Sequence, residues 1–350
     1  MNKNIISMQK GFTLVELMVA IALGLLITAA AIQLFITGQV SLNTQKGMAD
    51  LQESGNFGLR YISNEIRKTN YGNANVVNDR LANGGLVLTT RHTPHFPAIA
   101  APTFSAANIA VNINMMNGAT PPVAVEIPVT SHATGSSNVQ VMDSTTSTRV
   151  NQGSDQLVMQ FFADRAGIDC EGNTYAANRY VIQRFFLRAD ANAVSGEPNA
   201  ALALACEAGS YTDATATTIL KNPSTSTVVF GATNTGGEII ARRVDHLHFL
   251  FGISDNANTG NLRYITIGQY LALNENPRPR INSIQIGMLV RSSESVNVGN
   301  LIANDQQFTV LDQVVTVKVP TGTPPKYLRR VVTQTIALRN ALPSNDEAVM

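Results

Sequence analysis

The sequence predicts an α+β protein in which one long N-terminal helix packs on a large head of antiparallel β-sheet. Between residues 17 and 45 the chain has no Asp, Glu, Lys or Arg, and apolar residues then recur at helical spacing to about residue 70. The second half of the chain instead carries strand-length apolar segments separated by turn-rich gaps. That pattern is typical of antiparallel sheets.

The first half of the helix is predicted to be a membrane span. Residues 17–37 form a charge-free stretch of about 20 residues, which is enough to cross roughly 30 Å of hydrocarbon as a helix. Residues 1–11 carry Lys3 and Lys10 and no acid, and positive charge keeps that end of the chain in the cytoplasm. We therefore expect the rest of the chain to be periplasmic.

Glu16 is the anomaly of this segment. A charged side chain inside a bilayer costs roughly 2.5–3.5 kcal/mol on insertion scales, so Glu16 needs a partner or a function. Two ordinary alternatives are a secretory signal peptide, cut near the small residues 29–31, and a plain membrane anchor. Neither alternative explains the acid.

The helix is predicted to continue over residues 38–70 as an amphipathic half that ends at Asn70–Asn73. Its apolar positions should lie on the head, namely Met48, Leu51, Leu59, Ile62 and Ile66. Charged residues take other positions, namely Glu53, Arg60, Glu65, Arg67 and Lys68. Four glycines weaken this half, and we expect them to mark bends: Gly38, Gly47, Gly55 and Gly58.

The head is predicted to span residues 71–350. Its first part, residues 73–154, is rich in Asn, Ala, Thr, Pro and Gly, and we interpret it as a variable region of weak strands and long loops. Clearer strands are expected in the second part, at residues 155–162, 180–187, 244–251, 281–291, 307–311 and 327–338.

Composition and motifs argue against several classes of function. The net charge is +1, which does not suggest a nucleic-acid partner. The sequence contains no GxSxG, no HExxH and no phosphate-binding Gly-Lys-Ser/Thr loop. We therefore expect neither an enzyme nor a cofactor.

The segment Gly11-Phe12-Thr13-Leu14-Val15-Glu16 resembles the type III signal of type IV prepilins. The resemblance implies a pilin-like fold and a leader of residues 1–11. It also implies that a prepilin peptidase cuts between Gly11 and Phe12 and methylates the new N-terminus of Phe12. In a filament, Glu16 could then pair with the Phe12 amine of a neighbouring subunit, and the cost of leaving a buried charge unpaired would favour the correct register. The filament-core helix would span residues 12–37.

Strand patterns in the head resemble the PilW family of minor pilins. They lie at Gln156-Leu157-Val158, at residues 183–188, at residues 286–292 and at residues 329–340. The resemblance implies a tip complex that primes pilus assembly and supports twitching motility and adhesion. Its implied partners are other minor pilins, the major pilin and a large tip adhesin. The protein would lie in the inner membrane before assembly and at the pilus tip on the cell surface afterwards.

Two other functions stay open. One is a J-type minor pseudopilin of a type II secretion system, which is a relative of PilW. The other is a membrane-anchored periplasmic binding domain.

Cys170 and Cys206 are the only cysteines. An even pair outside the cytosol favours a disulfide over two free thiols. Closing a loop of about 36 residues stabilises by roughly 3–4 kcal/mol in the chain-entropy model.

The five histidines do not predict a metal site. His246 and His248 share one face of a strand, which could suit a metal, but we interpret them as half-exposed residues without a nearby acid. His92 and His95 fall in a Pro-bounded loop, and His132 is the fifth histidine. Residues 255–260 faintly resemble a calcium loop but lack the ligand pattern, so a hairpin turn is expected there.

Overall fold

The computed structural model describes most of the chain. Within residues 11–341 it leaves out 73–83, 89–129, 195, 213–235, 255–261, 274–277, 297–301, 304, 320–321 and 323–324. Residues 1–10 and 342–350 are also outside the described part. Much of the predicted variable region, the loop with His92 and His95 and the candidate calcium loop at 255–260 therefore lie outside the described residues.

The chain begins with one continuous helix, α1, Leu14–Ile66. Thr13 caps it, because its hydroxyl oxygen accepts a hydrogen bond from the backbone N–H of Glu16 at 3.3 Å. Its 53 residues give a length of about 80 Å at 1.5 Å per residue. The helix ends four residues earlier than expected, in a turn whose Asn70 has a φ of 62°. The helix runs without a break through the glycines that were expected to mark bends.

Thirteen strands and one short helix follow in the described part of the chain. They are β1 Ser131–Met142, β2 Arg149–Ala163, β3 Gly167–Ile168, β4 Thr174–Tyr175, β5 Arg179–Ala189, β6 Leu202–Tyr211, β7 Glu238–Arg242, β8 Val244–Ser254, β9 Leu262–Thr266, α2 Ile267–Leu271, β10 Ile281–Arg291, β11 Gln307–Val310, β12 Gln313–Val317 and β13 Arg329–Ala337.

The strands form two main sheets, and the named pairings are all antiparallel. The larger sheet has the order β11-β12-β1-β2-β5-β6-β7, and the smaller has the order β13-β10-β8-β9. The pair β3-β4 forms a separate ribbon. Apolar residues of both large sheets and of α1 share one core. The predicted α+β fold class is confirmed.

The chain passes from one sheet to the other at a single residue. β7 ends at Arg242 and β8 starts at Val244, so only Arg243 lies between the two sheets. Arg243 has a φ of 58°, a left-handed conformation that is uncommon outside glycine. Its buried side chain forms ion pairs with Asp190 and Glu197, which hold it in place.

The strand predictions were best where apolar runs were long. Strand β10 has the predicted bounds, and β2, β5, β8, β11 and β13 overlap their predicted segments. The strands outside the predicted segments are β1, β3, β4, β6, β7, β9 and β12. Strand β1 falls in the region 73–154, which was interpreted as weak strands and long loops, and it lies in the middle of the larger sheet, between β12 and β2.

The second half of α1 packs on the head as predicted, with two corrections. Leu51, Leu59, Ile62 and Ile66 are buried in the core. Met48 was expected beside them but is 43% exposed, and Gly47 takes the buried position instead. Glu65, which was placed among the outward charges, is buried and accepts hydrogen bonds from Gln183 and Lys68.

Candidate functional site: the N-terminal helix and its junction with the head

The N-terminus of α1 carries the residues of the predicted processing site. Gly11 and Phe12 precede the helix, and Phe12 is 82% exposed. Glu16 lies in the first helical turn, where the helix dipole favours a negative charge. Its side chain is exposed in the single subunit. A carboxylate and the predicted cleavage bond therefore stand about one helical turn apart.

The first half of α1 leaves its apolar side chains uncovered. Residues 11–39 are all exposed, including Leu25, Ile27, Leu34 and Phe35. By length and composition this part of the helix can cross a membrane, and none of its most apolar stretch is buried in the protein. So large an apolar surface needs a bilayer or neighbouring helices to cover it.

The second half of α1 lies close to the head because glycines face the sheets. A Cβ added at Gly58 would lie 2.6 Å from the Cβ of Ala241 in β7, and one at Gly55 would lie 3.3 Å from a methyl of Val332 in β13. Gly47 faces Leu328 and Val296 in the same way. These glycines permit close packing of the helix on the head.

Polar contacts add to this junction. The backbone N–H of Ser293 donates to Asp50 of α1 at 2.6 Å. At the other end, the Ser63 hydroxyl forms a hydrogen bond with the side chain of Gln334 at 2.7 Å. The helix is therefore fixed to the head between Gly47 and Ile66.

The predicted disulfide joins Cys170 to Cys206, with Cα atoms 6.1 Å apart. Cys206 lies in β6, and Cys170 lies between the short strands β3 and β4. The Tyr61 hydroxyl of α1 donates to the backbone carbonyl of Cys170 at 3.0 Å. The bridge therefore ties the β3-β4 ribbon to the larger sheet at a point that α1 also contacts.

A buried ionic cluster holds the loop between β5 and β6. Glu197 in this loop accepts from Arg243 at 2.8 Å and from Arg291 at 2.6 Å. Asp190 accepts from Arg243 at 2.7 Å. Burial would raise the pKa of Asp190, but a backbone N–H bond from Asn192 and the nearby arginine charges outweigh it and lower that pKa. The cluster links both sheets beside the left-handed Arg243.

A second polar cluster was missed and corrects the histidine prediction. His246 and His248 are fully buried, not half-exposed, and acids are near. The Nδ1 atoms of His132 and His248 lie 2.8 and 2.7 Å from the two carboxylate oxygens of Asp155 in β2. The Nε2 atom of His248 lies 2.8 Å from Asp312, in the turn between β11 and β12. We call His132, Asp155, His248 and Asp312 the His–Asp cluster.

The electrostatics of these groups follow from burial and pairing. Burial would raise the pKa of Asp155, but hydrogen bonds from His132 and His248 outweigh it and hold that pKa well below its usual range. Burial would lower the pKa of His248, but the two carboxylates outweigh it and raise that pKa. Burial dominates at His246 and lowers its pKa to about 4.

The sequence offered little signal for either cluster. Asp155 and His248 are 93 positions apart and come from different sheets. The one usable hint was the spacing of His246 and His248 on one strand face. Their acidic partner could be found only from the packing of β2 against β8.

Comparisons with known proteins agree with the resemblance found in the sequence. The prokaryotic N-terminal methylation motif matches residues 6–32. The family described as type IV pilus-assembly protein W, PilW, matches residues 206–340. That match includes the late strand patterns, whereas the patterns at residues 156–158 and 183–188 lie outside it.

Similarity to whole proteins is weaker than these family matches. A search of curated proteins gave no match. Among solved structures, a type IV-like pilin from Thermus thermophilus is 10% identical, and the likeness covers 61% of this chain and 88% of that one. Its TM-score is 0.22, which is too low for the likeness to support any conclusion. The two family matches, the methylation motif at its N-terminus and the PilW segment in its head, show what this chain is similar to, and both are features of type IV pilins.

Proposed function

We propose that this chain is a minor pilin of the type IV pilus, in a tip complex that primes assembly and supports twitching motility and adhesion. One observation carries the proposal. A prepilin-type signal leads into an apolar, fully exposed half-helix that is fixed without a break to a large two-sheet head. Such a subunit can leave a membrane and join a helical core while keeping its head outside.

Processing prepares the N-terminus for assembly. Cleavage between Gly11 and Phe12 by a prepilin peptidase removes residues 1–11 and exposes the Phe12 amine, which is then methylated. Glu16 follows Phe12 by four residues, so each subunit carries a positive amine and a negative carboxylate that can pair with those of its neighbours. In an apolar filament core an unpaired charge is costly, and pairing with a neighbouring subunit's Phe12 amine favours one register.

The size of the head suits a low-copy position. Seven strands form one sheet and four form the other in the described residues. Subunits that repeat along a filament must pack their heads side by side, which a head of residues 71–350 would hinder. We place the protein at the tip, above the major pilin, beside other minor pilins and a large tip adhesin.

The protein would occupy two locations in turn. The chain first spans the inner membrane once through residues 12–37, with residues 38–70 and the head in the periplasm. It then moves to the pilus tip at the cell surface. The protein itself catalyses nothing in this scheme and is the substrate of the peptidase.

A substitution at Glu16 tests the assembly role. We expect Glu16→Ala to leave membrane insertion and cleavage intact, because loss of a charge eases residence in the bilayer. The variant should be missing from sheared pili, and piliation should fall. Glu53→Ala is the matched control, since Glu53 is an exposed acid of the same helix beyond its apolar half. Normal piliation with Glu16→Ala, in a strain that needs this protein, would contradict the role.

A deletion strain separates the alternatives. Loss of pili and twitching supports the pilus assignment, whereas loss of protein secretion with normal pili would favour the J-type pseudopilin. Crosslinking and mass spectrometry of the assembled tip complex should find the head bound to other minor pilins. A head that binds a soluble ligand, with pili intact in the deletion strain, would favour a periplasmic binding domain.

A further inference from the structure

We propose that His132, Asp155 and His248 of the His–Asp cluster form a binding site for one divalent transition-metal ion of the zinc class. One ligand atom from each of these residues lies within 4.8 Å of the others. Asp155 belongs to the larger sheet and His248 to the smaller, so a bound ion would join the two sheets. The site would be structural and independent of the pilus role.

The carboxylate of Asp155 is held in place before any ion binds. One oxygen accepts from the backbone N–H of Ala133 at 2.8 Å, and the other accepts from the backbone N–H of Phe249 at 2.9 Å. Ala133 has a φ of 57°, which is uncommon for a residue with a Cβ. Oriented carboxylates of this kind are typical of metal ligands, which rely on outer hydrogen bonds.

Asp312 gives His248 the arrangement that metal-binding histidines usually show. The Nε2 of His248 donates to the Asp312 carboxylate at 2.8 Å. A proton fixed on Nε2 leaves Nδ1, the atom that faces Asp155, as the metal-binding nitrogen. Carboxylate–histidine–metal triads use the same outer contact to fix the tautomer and ring orientation.

His132 opens the site to solvent. Its side chain is 27% exposed and lines a cavity of about 410 Å³ together with Gln152, Gln313 and Thr316. The cavity offers a route for the ion and room for water as a further ligand, as in three-ligand zinc sites. His246 is not a ligand, because its ring nitrogens face Ser137, Ser154 and Gln313 at 3.3–3.4 Å.

The donor set decides which ions fit. Two imidazoles and one carboxylate suit Zn²⁺, Co²⁺, Ni²⁺ and Cu²⁺, whereas Mg²⁺ and Ca²⁺ prefer oxygen ligands throughout. Without an ion, the Nδ1 atoms of both imidazoles form hydrogen bonds to the Asp155 carboxylate. The same nitrogen and oxygen atoms would bind the ion when it is present. The ion would replace those two contacts and keep the Ala133, Phe249 and Asp312 contacts.

Metal titration of the full-length protein in detergent tests the site. After metal is stripped, we expect Zn²⁺ to bind at one ion per chain in calorimetry, and Co²⁺ to give d–d absorption bands typical of nitrogen and oxygen ligands. Zn²⁺ should also raise the Tm, since a ligand that binds only the folded state stabilises it. Mg²⁺ should do neither.

Three variants locate the binding. His132→Ala removes a partly exposed ligand and should abolish both stoichiometric Zn²⁺ binding and the Zn²⁺-dependent rise in Tm. Asp312→Asn should weaken binding about 10–100-fold, as loss of an outer-shell partner does. Gln313→Ala changes the same cavity without removing a ligand and should bind as the unaltered protein does.

Two results would overturn the proposal: no stoichiometric Zn²⁺ binding by the unaltered protein, or equal binding by His132→Ala. If His132→Ala does not fold, the half-exposed Asp312 carries the test. Unchanged affinity in Asp312→Asn would then count against the site.

Discussion

The contact between Gly58 and strand β7 allows a quantitative test of how the helix is fixed to the head. In Gly58→Ala the new Cβ would lie 2.6 Å from the Cβ of Ala241, well inside contact distance. The Ala241 Cβ is attached directly to the backbone of β7, which pairs with β6 at Leu204. It cannot rotate away, so the helix or the strand must shift.

The expected magnitude is the balance of two effects. Overpacking a core position costs roughly 1–3 kcal/mol. Replacing glycine by alanine inside a helix stabilises the helix by about 1 kcal/mol. The two ranges leave a net loss of about 0–2 kcal/mol. Because the Ala241 Cβ cannot move aside, we expect the upper end, about 2 kcal/mol, which lowers the Tm by roughly 3–4 °C for a protein of this size.

Gly55→Ala is the matched control in the same helix. Its new Cβ would meet methyl groups of Val332 and Val290 at 3.3–3.7 Å, and these side-chain ends can adjust. We expect its Tm to stay within about 2 °C of the unaltered protein. The higher helix propensity of alanine should offset the small steric cost of the contacts with Val332 and Val290. Differential scanning calorimetry of both variants in detergent makes the comparison. A Gly58→Ala protein that is as stable as Gly55→Ala would refute the close-packed junction.

Two further predictions concern the head. Cys170→Ser should lower the Tm by on the order of 5 °C while leaving N-terminal processing unchanged, and two titratable thiols in the native protein would refute the bridge. Glu197→Gln should cost about 1.5–3 kcal/mol in denaturant unfolding, because two buried arginines each lose one charged partner, while Arg243 keeps Asp190 and Arg291 keeps Asp245. Asp305→Asn, at an exposed pair with Arg149, should cost at most about 1 kcal/mol, and an equal effect of the two would argue against the buried cluster.

The helical part of the fold could be predicted because its signals are local. An unbroken apolar run, a helical period and a capping residue all lie within a few positions of one another. The helical period placed Leu51, Leu59, Ile62 and Ile66 correctly in the core. It failed at Gly47, because a glycine has no apolar side chain to mark the buried stripe, and Met48 took its place in the prediction.

Strands were predictable only where both faces were apolar or alternation was clear. Strand β10 has bulky apolar residues over most of its length, and its bounds were correct. Strand β1, Ser131–Met142, consists mostly of small polar residues and resembles a loop in sequence. It becomes a strand through pairing with β2 and β12, with register shifts near Gly135 that no local pattern encodes.

The candidate sites also differ in whether local sequence reveals them. Gly11, Phe12 and Glu16 form a short linear motif, which sequence alone can reveal. The ionic cluster and the His–Asp cluster are assembled from strands of two sheets, and single charged residues in strands resemble exposed positions. Burial of Arg291 and Asp155 follows from tertiary packing, so local sequence could not predict it.

The most direct measurement of the central claim is intact-mass and peptide mass spectrometry of the protein purified from its own cells. The pilin account predicts a mature chain that begins at Phe12 and carries one methyl group on its N-terminal amine. A chain that begins near Ala31, or one that keeps residues 1–11 in cells with an active prepilin peptidase, would contradict it.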